Sequence, residues 1–138
     1  MQYIIKKIEE GYFADNLVNI YSQRKFKKIT LLKQHKDNNG YYRVKILGKT
    51  KKVHRIICET FIANPDPKNK TTVNHKNGNK TDNKVENLEW ATRSENTQHA
   101  YDMGLKIGYK GRKKSKIGIT KQLASKWYKL NKSGISLR

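Results

Sequence analysis

Between Thr72 and Gly104 the residue types leave the chain few ways to fold. Thr72-Val73-Asn74 suits a short strand that leads into His75. Residues 76–87 are dense in Asn, Gly, Lys and Asp, whose side chains tie to nearby backbone, so a loop is expected there. Leu88-Glu89-Trp90-Ala91 reads as a second short strand. Thr92-Arg93-Ser94-Glu95 matches a capping box, in which Thr92 caps a helix and Glu95 reaches back. That helix should run to about Met103 and stop at Gly104. The expected product is strand, loop, strand, helix.

Upstream, residues 1–53 carry short apolar clusters separated by turn signals, of which Asp37-Asn38-Asn39-Gly40 is the strongest. From Tyr42 to Leu47 basic and apolar residues alternate, the pattern of a half-buried strand with one basic face. An antiparallel meander of about three strands is expected. At Val53 the period changes: Val53, Ile56, Ile57, Thr60 and Phe61 share one helical face, and Pro65 ends the helix. Cys58, the single cysteine, excludes an internal disulfide framework or a multi-cysteine zinc knuckle and is expected to be a small buried core residue. The fold class is therefore α+β: an N-terminal antiparallel strand module (1–52), a central strand-loop-strand-helix core (53–103), and a basic C-terminal arm with a short helix (104–138).

Charge narrows the partner. The chain carries 31 Lys and Arg against 11 Asp and Glu, a net charge of +20. Such self-repulsion favours an anionic partner. No stretch approaches the roughly 20 apolar residues of a membrane span. Met1-Gln2-Tyr3-Ile4-Ile5-Lys6-Lys7 turns charged too early for a signal peptide, so the cytoplasm is the expected location. Nucleic acid is the leading partner. From Met103 to Arg138 there are 11 Lys and Arg and no acid. Residues 121–138 have the look of the first helix and turn of a helix-turn-helix, and the sequence ends where a recognition helix would begin.

Several residues together resemble the HNH nuclease family, in its phage intron-encoded homing endonuclease branch. They are Val53-His54-Arg55, Val73-Asn74-His75-Lys76-Asn77-Gly78-Asn79-Lys80, Asn87-Leu88-Glu89-Trp90 and Glu95-Asn96. The likeness is dense over residues 53–100 and looser in Gly11-Tyr12-Phe13 and Gly40-Tyr41-Tyr42-Arg43-Val44. It implies a ββα-metal fold that hydrolyses DNA phosphodiesters with one divalent ion, Mg²⁺ or Mn²⁺, with the cutting segment at Val73 to His99. His75 would be the general base, since an imidazole with a pKa of about 6.5 accepts protons at physiological pH. Asn87 would orient His75. Asn96 and Asn74 would hold the metal, and His99, three residues after Asn96, is a weaker candidate ligand. The better-studied homing members that it resembles have Asp where this chain has Asn74. Two neutral amides make a weak site, which should fill mainly when DNA phosphate adds its charge. Arg55, Lys76, Lys80 and Arg93 near the site, and Arg112, Lys113 and Lys114 in the arm, are expected to contact phosphates of double-stranded DNA. One copy of the motif gives one active site, so a monomer should nick one strand.

Blander readings compete at several positions. His54 is as readily a capping or packing residue as a phosphate contact, His35 has no assigned role, and Trp90 reads as core rather than as a base-stacking platform. A DNA-binding module with a degenerate site, motivated by Asn74, is the alternative function. An RNA-binding protein is supported by charge alone.

Overall fold

The structure is a computed structural model that describes residues 2–23 and 28–106. In place of one three-stranded meander, the N-terminal region forms two small antiparallel sheets. Strands β1 (Ile5–Glu9), β2 (Tyr12–Asp15), β3 (Ile20–Ser22) and β4 (Thr30–Leu31) pair in that order. Strands β5 (His35–Lys36), β6 (Tyr42–Ile46) and β7 (Lys49–Lys52) make the second sheet. The extra strands arise because closely spaced turns cut the apolar clusters into pieces of two to five residues. Leu47 and Gly48 both have positive φ, 50° and 77°, between paired Ile46 and Lys49. That is the two-residue turn whose twist matches antiparallel strands. Asp37 builds the turn into β6 by accepting from the backbone N–H of Asn39 and Tyr41, and Gly40 takes the φ of 87° it requires. Along β6, Val44 and Ile46 are buried and Lys45 is exposed, as the alternation predicts.

Another turn, Asp15 to Asn19, is held by a buried carboxylate. Asp15 accepts from the backbone N–H of Leu17 and Asn19, from the Asn19 amide, and from the hydroxyls of Tyr3 and Tyr21. This network keeps Val18 at φ 72°, a conformation β-branched residues avoid. Burial alone would raise the Asp15 pKa, but the bonds from Asn19, Tyr21 and Tyr3 outweigh it and leave it lowered. Its stabilising effect is therefore present at neutral pH and lost as pH falls through the lowered value. Asp15→Ala is expected to cost about 2–3 kcal/mol, because donors inside the turn lose their acceptor. Urea unfolding at pH 7 checks this.

Helix α1 (Val53–Phe61) follows β7 directly. Val53, Ile56, Ile57 and Cys58 are buried on it, as the helical period and the lone cysteine predicted. His54 is buried with them, which the period did not foresee. Strands β8 (Thr72–His75) and β9 (Leu88–Ala91) pair antiparallel. One core joins Tyr12, Ala14 and Ile20 of the first sheet, Val44 and Ile46 of the second, the apolar face of α1, and Val73 and Leu88. Burying one such Ile or Leu is worth about 1.5–3 kcal/mol. The core therefore spans the expected boundary at residues 52 and 53. Trp90 packs against it, and its indole N–H donates to the Ile62 carbonyl at 2.9 Å, tying β9 to the end of α1.

Helix α2 (Arg93–Asp102) begins after the single residue Thr92, where the capping-box sequence placed a helix start. It opens a second unit of the chain. Gly104 follows with a φ of 68°, the left-handed stop expected of a glycine after a helix. The strand order β8, β9 followed by α2 gives the ββα succession predicted from the sequence. The basic arm and its helix lie outside the described residues. No helix among the described residues is long and apolar enough to cross a membrane.

Candidate active site

Strand alternation divides the β8–β9 hairpin into two faces. Val73 and His75 of β8 pair with Trp90 and Leu88, while Asn74 pairs with Glu89 on the opposite face. His75 is only 6% exposed. Its Nε2 lies 2.9 Å from the Asn83 side-chain oxygen. An amide oxygen only accepts, so Nε2 must carry the proton in this contact, and Nδ1 is left to accept one. Burial lowers the His75 pKa and nearby Lys80 adds to this, against the opposing effects of the Asn83 bond and Asp82. The ring is thus neutral at pH 7.

The expectation that Asn87 orients His75 does not match this geometry. Asn87 is buried, and its side chain is used inside the loop. Its oxygen accepts from the Asn77 backbone N–H, and its nitrogen donates to the Asn77 side chain and the Asp82 carbonyl. Asn87 closes the base of the 76–87 loop, and Asn83 meets the ring. Both asparagines sit in a stretch rich in Asn, so residue type and spacing do not say which one faces His75. Within the loop, Asn77 also bonds to Asp82, and Asn79 holds Thr81.

The other side of His75 is aromatic. The His54 ring meets it edge-on, with centroids 5.1 Å apart, and Tyr41 lies 5.1 Å from His54 and 6.1 Å from His75. Lys52 and Lys80 place their ammonium groups over Tyr41. His54 is 7% exposed, and its buried Nδ1 has no hydrogen-bond partner among the described residues. Burial first, then His75, Lys52 and Arg55, push its pKa down to about 4, with only Asp37 opposing. In the unfolded chain it would titrate near its ordinary value of 6.5. Between pH 6.5 and 4 the unfolded state therefore binds a proton that the folded state does not. Stability is full above this window and falls by about 1.4 kcal/mol per pH unit within it. His54→Leu is expected to flatten this loss between pH 7 and 5 in urea unfolding; an unchanged slope would refute the assignment.

Asn74 is 5% exposed, and its side-chain nitrogen donates to Glu89 Oε1 at 2.7 Å. That bond leaves Oδ1 as the amide's acceptor atom, a hard oxygen donor suited to Mg²⁺ or Mn²⁺. Among the described residues no three His, Cys, Asp or Glu side chains converge as a metal cage. Asn96 and His99 stand one turn apart on α2, both half-buried.

The expected phosphate contacts are unequal. Arg55 is exposed, but its guanidinium donates to the Thr71 carbonyl, pairs with Glu59 and lies over Trp90. It therefore acts as a strut between α1 and β8. Lys80 reaches the Asn39 carbonyl, and Lys76 reaches that of Glu86 at the long distance of 3.3 Å. Arg93 is exposed at the first position of α2. Arg112, Lys113 and Lys114 lie outside the described residues.

Comparison with known proteins bears on the same segment. Residues 51–98 match the family model described as HNH endonuclease. An "Uncharacterized HNH endonuclease L247" of Acanthamoeba polyphaga mimivirus is 44% identical over 101 residues, which is 70% of this chain and 24% of that protein. The chain thus spans about a quarter of that relative. The "SPbeta prophage-derived putative HNH homing endonuclease YosQ" of Bacillus subtilis (strain 168) is 34% identical over 125 residues, 88% of this chain and 71% of that one. A solved structure of the HNH homing endonuclease I-HmuI, concerned with DNA binding and cleavage, superposes with a TM-score of 0.58 at 30% identity. It covers 72% of this chain and 57% of that one. The ββα succession, the buried histidine on β8 and relatives that match along most of the sequence place this chain in the HNH endonuclease family.

Proposed function

We propose that this chain is a metal-dependent DNA endonuclease that hydrolyses phosphodiester bonds and, acting as a monomer, nicks one strand. The observation that carries the reading is His75: buried, neutral, its Nε2 satisfied by Asn83 and its Nδ1 able to accept a proton. Hydrolysis needs a base for the attacking water and neutralisation of the departing alkoxide. Nδ1 of His75 takes the proton from the water, and Asn83 keeps the ring in the tautomer that leaves Nδ1 available. A divalent ion, Mg²⁺ or Mn²⁺, would supply the positive charge opposite the leaving group. Asn74 offers it Oδ1, and Asn96 is the proposed second ligand.

Double-stranded DNA is the proposed substrate, in the cytoplasm of a cell that hosts the phage or mobile element. Residues 1–52 would contact DNA on one side of residues 53–103, which cut, and the arm of 104–138 would contact it on the other. Lys76, Lys80, Arg93 and the arm residues Arg112, Lys113 and Lys114 would meet phosphates. Arg55 would do so only by releasing Thr71 and Glu59.

The experiment is a DNA duplex labelled on each strand, incubated with the protein and either Mg²⁺, Mn²⁺ or EDTA, and read on a denaturing gel. Cleavage of one strand with either metal and none in EDTA is expected. Gel-shift binding without cleavage under any metal would favour a DNA-binding module, and equal cutting of both strands would overturn the nickase assignment.

A further inference from the structure

Glu89 has no Lys or Arg ion partner among the described residues. Glu9, Glu10, Asp37 and Glu59 each pair with a Lys or Arg. Asp15 is answered by five donors. Glu89 is half-buried in the middle of β9, and among the described residues the one polar group it meets is the neutral amide of Asn74. A partly desolvated carboxylate with a single neutral donor is poorly compensated. Its Oε2 accepts from nothing among the described residues. The register places Glu89 directly across from Asn74, with both side chains on the face opposite His75.

The bond also has a direction. Glu89 accepts only, so Asn74 must turn its nitrogen toward β9 and keep its oxygen for another partner. A neutral pair in the same register would not impose that choice. Orientation of the amide and a nearby negative charge are the two things a bare asparagine lacks as a metal ligand.

We propose that Glu89 is the carboxylate of the metal site: it fixes Asn74 with Oδ1 toward the ion and supplies the negative charge that Asn74 lacks. This rests on the reading of Asn74 as a ligand. Glu89 is on this view a positioning residue, and its charge makes the site less dependent on DNA phosphate than two amides would be.

The test is Mn²⁺ affinity, read from the electron paramagnetic resonance signal of free Mn²⁺. The full chain is used with a short DNA duplex in the His75→Ala background, so that the duplex is not cut. Glu89→Gln keeps an acceptor for Asn74 but removes the charge, and is expected to weaken Mn²⁺ binding about tenfold or more. Asn74→Asp combined with Glu89→Gln moves the charge across the strand pair and is expected to restore the affinity. Thermal unfolding identifies any variant that fails to fold, and the double variant then carries the test. If Asn74→Ala binds Mn²⁺ as tightly as the parent, Asn74 is not a ligand and both readings fall. If Asn74→Ala loses the ion while Glu89→Gln keeps full affinity, the role of Glu89 is overturned and that of Asn74 stands.

Discussion

Replacing His75 by alanine is expected to slow DNA cleavage by about 10²–10⁴-fold, the range that general acid–base groups contribute. DNA affinity should change little, because the ring is buried and offers phosphates no charge at neutral pH. Stability should fall modestly, since the change vacates a small space among Asn83, His54 and Tyr41. Single-turnover cleavage with protein in excess separates the rate from binding. A rate loss matched by an equal loss of affinity would point to a role in holding DNA instead. His75→Gln preserves a polar side chain of similar size but has no basic nitrogen, so it should be as slow as alanine.

The second large effect separates two asparagines. Asn87→Ala is expected to lower stability by about 1–2 kcal/mol, because the groups it leaves without partners are only partly buried, and a fully buried one costs roughly 1–3 kcal/mol. The Asn77 N–H and the Asp82 carbonyl both lose theirs. Asn83→Ala removes one contact, to the imidazole, and should leave the loop closed. Its main effect should be on rate, a loss of about ten- to hundredfold from a ring no longer held in place. Urea unfolding and single-turnover rates on both variants give the comparison. If Asn83→Ala cuts at the wild-type rate while Asn87→Ala is stable but slow, the orienting role belongs to Asn87 after all.

The contacts of Asn83 and Asn87 mark where the sequence stopped being readable. Local patterns were legible: the turn at Asp37–Gly40, the helical face of Val53, Ile56 and Ile57, buried Cys58, and the succession of β8, β9 and α2. Each depends on residues close in the chain. The count of N-terminal strands was not, because β4 and β5 have two residues each, too short for alternation to register. The surroundings of His75 were hidden for a different reason. His54 and Tyr41 come from α1 and the turn before β6, and no sequence period encodes a contact between distant elements. Loop asparagines compete for the same few partners, and only the closed loop decides that Asn83 meets the ring while Asn87 ties the base. The pairing of Asn74 with Glu89 follows from strand register, which a connection spanning residues 76–87 leaves open.

Incubation of supercoiled plasmid with Mg²⁺ tests the central claim most directly, comparing the wild-type chain with His75→Ala and each with an EDTA control. The account predicts nicked circles from the wild-type chain with metal and none from the other three samples. Equal relaxation by His75→Ala, or by the wild-type chain in EDTA, would contradict it.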